Sequence, residues 1–111
     1  MSIPELNPGA AKPGITVIVD KGIEDLIPDF LNNRRRELAE LQSAHAAGDF
    51  DELKNLGHRM RGVGAPFGFD HISELGKLIQ RDASEQRGAG MAGYLADYAD
   101  YLERVRITYA G

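Results

Sequence analysis

Apolar residues return at helical spacing through four stretches of the chain. In residues 28–47, Leu31, Leu38, Leu41 and Ala44 form a stripe, with Arg34, Arg35, Arg36, Glu37 and Glu40 largely outside it. That predicts a helix with a solvated, charged outer face. Gly48 suits the position just past a helix, and Asp49 can accept hydrogen bonds from the first free amides of the next. Residues 50–66 then place Phe50, Leu53, Leu56, Met60, Val63 and Phe67 in one arc. Pro66 and Gly68 end that helix, and Asp70 reads as the N-cap of another over residues 71–86, with Ile72, Leu75, Gly76, Ile79 and Ala83 inward. Gly88 and Gly90 break it. A last helix over residues 91–109 turns Met91, Tyr94, Leu95, Tyr98, Leu102 and Val105 toward the others. Short connections make sequential helices antiparallel, so the predicted fold is all-α, an up-down four-helix bundle.

Ahead of the bundle the signals weaken. Residues 1–14 hold Pro4, Pro8, Pro13, Gly9 and Gly14 with little periodic hydrophobicity, as expected of a mobile or extended tail. Residues 15–19 are β-branched and strand-like, but no second convincing strand is visible to pair with them, so they are expected to lie extended on the bundle surface. Asp20 is placed to cap a short helix over residues 23–27. The expected organisation is therefore a flexible or extended segment over residues 1–19 and a helical bundle over residues 20–111.

Composition narrows the function classes. The 111 residues fit one domain, and the absence of cysteine excludes disulfides and thiolate metal sites while fitting a reducing, cytoplasmic compartment. No apolar run is long enough to span a membrane, and nothing resembles a signal peptide. The net charge of -4 argues against nucleic acid as a partner. The acidic, polar exterior leaves no extra apolar face for self-association, so a monomer is expected.

Against that acidic background, cations gather around one histidine. His58 lies nearly opposite the apolar arc of its helix, with Lys54 four residues before it and Arg59 and Arg61 after. The same helix carries Gly57, Gly62 and Gly64, each costing roughly 1 kcal/mol of helix propensity relative to Ala. Gly57 and Gly64 fall on the core side, where a missing side chain lets another helix approach closely. Gly62 falls outside, beside His58, where bundle packing cannot explain it. An exposed imidazole is partly neutral near pH 7 and can act as a nucleophile, and adjacent cations suit an arriving anion. His45 and His71 lack carboxylates at ligand spacing, so no metal site is expected.

The segment Gly57-His58-Arg59-Met60-Arg61-Gly62, with Gly68 ten residues after the histidine, resembles the signature of histidine-containing phosphotransfer (HPt) domains. The likeness extends from about residue 26 to the last helix. It implies a phosphorelay intermediate, of the stand-alone bacterial type. His58 would accept a phosphoryl group from an aspartyl phosphate on a receiver domain and pass it to another, with Mg²⁺ on the receiver and no cofactor on this chain. Arg61 matches the family's basic residue beside the phosphate, Gln80 the polar residue near the imidazole, and Gly62 the glycine that admits the receiver. Lys54 joins the reacting set, while Asn55, Arg59 and Ala65 complete the expected docking surface. The chain departs from the family pattern in Ala65-Pro66-Phe67, where small residues are usual, and in Arg61, where lysine is commoner. No Gly-rich nucleotide loop is present, so no ATP-dependent activity is expected. An alternative from another class is a bundle that binds receivers as an adaptor or inhibitor without being phosphorylated.

Overall fold

The computed structural model describes residues 13–111. The tail expected over residues 1–14 therefore lies almost wholly outside the described residues. The chain runs through strand β1 (Ile15–Asp20), a 3₁₀ helix (Lys21–Leu26), helix α1 (Ile27–Ala47), helix α2 (Phe50–Val63), a 3₁₀ turn (Ala65–Phe67), helix α3 (Asp70–Ser84), helix α4 (Met91–Arg104) and strand β2 (Val105–Ala110).

Local chemistry sets most of these boundaries. Asp20 Oδ1 accepts the Gly22 amide at 2.7 Å and caps the segment that follows; the short helix expected over residues 23–27 is a 3₁₀ helix over Lys21–Leu26, and Ile27 already begins α1. Helix α1 stops at Gly48, whose φ of 66° is left-handed and closes the last carbonyls. Asp49 caps α2 by accepting the Glu52 amide at 3.0 Å. Helix α2 ends at Val63, three residues before Pro66, because the chain tightens into the 3₁₀ turn and then reverses at Gly68, φ 95°. The cap expected from Asp70 is not made. Phe69 occupies that position, fully buried, and Asp70 lies in the first turn of α3, where its charge suits the helix N-terminus.

The last expected helix is corrected most. It stops at Arg104, and Val105–Ala110 is a strand that pairs in parallel with β1, Val17 opposite Ile107 and Val19 opposite Tyr109. Residues 15–19 thus have a partner, and the fold is a helical bundle with a two-stranded parallel sheet rather than all-α. The alternation Val105, Ile107, Tyr109 inward and Arg106, Thr108, Ala110 outward is a strand period. Val17 and Val19 are buried with it in the common core.

That core joins all four helices through Leu41, Leu53, Leu56, Met60, Ile72, Ile79, Met91 and Tyr98, all essentially without solvent contact. Phe30 stacks between Phe67 and Phe69 at centroid distances of 4.6 and 4.9 Å. Two charges expected in solvent are buried instead: Arg34 Nε donates to Glu37 Oε1 at 3.1 Å, and Tyr98 Oη donates to the same oxygen at 2.9 Å. Burial pushes the Glu37 carboxyl above the usual carboxylate range, outweighing the pull of Arg34 and the Tyr98 hydrogen bond.

Candidate functional site

Helices α2 and α3 touch backbone to backbone. A Cβ on Gly76 would lie 2.5 Å from the Arg61 nitrogen and 2.6 Å from the Gly57 carbonyl oxygen, and one on Gly57 would lie 2.7 Å from the Gln80 nitrogen. Only paired glycines permit this approach. Gln80 stands one turn beyond Gly76, and Arg61 one turn beyond Gly57, so the contact delivers both side chains to the flank of His58. Ser73 fixes the end of α2 beneath them: its hydroxyl donates to the Arg61 carbonyl at 3.0 Å and accepts the Ala65 amide at 2.7 Å.

Three polar side chains meet at this flank. The Gln80 amide lies between its neighbours, with Nε2 3.2 Å from His58 Nδ1 and Oε1 accepting from Arg61 Nη1 at 3.3 Å. His58 and Arg61 are exposed and Gln80 is half-buried. With Nδ1 engaged, Nε2 is the imidazole nitrogen left for an incoming group. Gly62, one turn further along the same helix, leaves open space, since a Cβ there would have nothing within 4 Å.

Lys54 stands on the same side, in a groove of about 350 Å³ that it lines with Arg61, Lys77, Gln80, Arg81 and Ser84. Two of these cations are matched by acids: Lys77 pairs with Glu74 at 3.3 Å and Arg81 with Asp82 at 3.1 Å. Lys77, Arg81 and Ser84 escaped the sequence reading, although they sit three before, one after and four after Gln80 and so share or adjoin its helical face. Asn55 is exposed, and Arg59 leans toward α1, 3.7 Å from Glu40. Ala65 is exposed in the 3₁₀ turn, tied to Ser73 rather than carried on α2.

Away from this flank, Asp82 links α3 to α4. It accepts from Tyr94 Oη at 2.7 Å and from Arg81 and Arg87 at 3.1 Å each, and these hydrogen bonds, Tyr94 foremost, hold its carboxyl below the ordinary range. His71 has acquired a carboxylate across the same interface, with Nε2 2.9 Å from Asp97 Oδ1 and its ring against Tyr101. That pairing was invisible at sequence level because Asp97 arrives from α4. Among the described residues no three His, Asp or Glu side chains are grouped to hold a metal ion, and no helix is long and apolar enough to cross a membrane.

Residues 25–107 match the family model of the Hpt domain, and the chain belongs to that family. Hpt domains serve histidine phosphotransfer in phosphorelays. No curated protein and no solved structure matches the chain.

Proposed function

We propose that this chain carries phosphoryl groups between receiver domains, with His58 as the acceptor. The observation that carries this is the Gln80 amide, which engages Nδ1 at 3.2 Å and so leaves Nε2 as the ring nitrogen of an exposed side chain open to an incoming group. In the step itself the Nε2 lone pair forms a bond to phosphorus while the bond from phosphorus to the receiver's aspartyl oxygen breaks. The carboxylate leaves with that electron pair. The receiver supplies the acyl phosphate and its Mg²⁺; this chain supplies the nucleophile and its neighbouring charge, with Arg61 and Lys54 offsetting the phosphoryl oxygens. Positioning and charge stabilisation are what phosphoryl transfer chiefly requires.

Asn55, Arg59, Gly62 and Ala65 would border the docking receiver. The short links between the helices support an antiparallel up-down bundle, acting as a monomer in the cytoplasm with no call on ATP. A phosphorylated receiver mixed with the protein is expected to leave an acid-labile, alkali-stable label that is lost in His58→Gln. An equal label in that variant would remove His58 from its role. Tight receiver binding with no label from any phosphorylated receiver would instead favour an adaptor.

A further inference from the structure

We infer that the Gln80 amide is a two-position switch that couples the tautomer of His58 to the release of Arg61; this rests on His58 being the phosphoacceptor. The amide has one acceptor and one donor end, and its two neighbours make different demands on it. A guanidinium only donates. Arg61 Nη1, 3.3 Å away, therefore holds Oε1 toward itself and turns the amide NH₂ to His58 Nδ1 at 3.2 Å. Nδ1 must then accept, which in the neutral ring leaves the proton on Nε2. The outward nitrogen is protonated and has no lone pair to offer. With Arg61 docked, the site is at rest.

Attack requires the opposite tautomer, with Nε2 bare and the proton on Nδ1, reached by exchange through solvent at this exposed ring. An Nδ1–H facing an NH₂ is donor against donor. A half-turn of the Gln80 amide removes that conflict by presenting Oε1 to Nδ1–H, but it sets the NH₂ against the Arg61 guanidinium. Arg61 is thereby dismissed from Gln80 at the moment His58 becomes nucleophilic. Lying three residues along the same helix face, it is in reach of phosphoryl oxygens, where a charge-assisted hydrogen bond is stronger than one to a neutral amide. When the Nε2–P bond forms and the P–O bond to the receiver's carboxylate breaks, the proton stays on Nδ1, the ring carries the positive charge, and Gln80 Oε1 accepts from it. Gln80 thus acts through its two neighbours as a positioning residue and never touches phosphorus.

The test reads the ring nitrogens of His58 by ¹⁵N NMR on the full chain, without a receiver, at a pH where the imidazole is neutral. In the native protein the protonated nitrogen is expected to be Nε2. Arg61→Met frees both amide orientations, so the Nδ1–H fraction is expected to rise. Gln80→Glu can accept from both neighbours at once, so the shifts of the protonated and bare nitrogens are expected to exchange places. A native ring with its proton on Nδ1 would overturn the coupling, as would an unchanged ratio in Arg61→Met. The native measurement decides the first point even if a variant fails to fold. Since no phosphoryl group is present, a coupled ratio in a protein that never becomes labelled would keep the switch and lose the phosphorelay, and a labelled protein with an uncoupled ratio would do the reverse.

Discussion

Gly62 occupies a helical position where the bundle asks nothing of it: a Cβ there meets no atom within 4 Å. In the last turn of α2 it gives up roughly 1 kcal/mol of propensity relative to Ala, with no packing gain in return. Gly62→Gln is therefore expected to leave the urea midpoint unchanged or slightly raised while sharply slowing transfer from a phosphorylated receiver. A large loss of stability with normal transfer would contradict a docking role. The outward placement of His58, Arg61, Lys54 and Gly62 was readable from the sequence because a helical wheel reports which residues face away from the apolar arc. Gln80 was placed by family resemblance, and its contact with both His58 and Arg61 depends on how two helices meet. Arg34 and Glu37 were misread for a related reason. Charge alone predicts solvent exposure, and a buried charge becomes tolerable only when partners such as Tyr98, sixty-one residues away along the chain, satisfy it.

The α2–α3 pair shows how a packing detail becomes a site. Gly76→Ala puts a methyl into space already held by the Arg61 nitrogen and the Gly57 carbonyl, backbone atoms that cannot rotate aside. Overpacking of this kind costs about 1–3 kcal/mol. The variant is expected to unfold at lower urea and to lose the His58–Gln80 contact, seen as a change in the His58 ring resonances. Unaltered resonances would mean that the close approach is not what positions Gln80. The core stripes of α2 and α3 were legible because their 3.6-residue period is sustained over several turns. The end of the last helix was not, because Val105 extends the helical stripe of α4 while Val105, Ile107 and Tyr109 also alternate as a strand. A few residues cannot choose between the two periods.

The sheet that resolves this choice joins segments some ninety residues apart, and two strands alone are marginal in water. Its inner face is held by the bundle, which buries Val17, Val19 and Val105 in the same core as the helices. The pH response of the whole fold should carry the mark of Asp82, which ties α3 to α4. Its carboxyl titrates below the ordinary value in the folded chain, so its stabilising contribution is present above the unfolded-state pKa and is lost as pH falls through the folded one. The thermal midpoint is expected to fall on acidification below about pH 4 more steeply in the native protein than in Asp82→Asn. Equal slopes would show that the Asp82 hydrogen bonds add no net stability.

Helical periodicity, caps and turn glycines are local properties, so the order and approximate length of the helices, and the exposed histidine among cations, follow from neighbouring residues alone. The pairing of β1 with β2, the burial of Glu37 against Arg34 and Tyr98, and the Gln80 bridge between His58 and Arg61 join residues far apart in the chain. No local preference selects such contacts; they exist because the packing of the elements brings those groups within reach of one another.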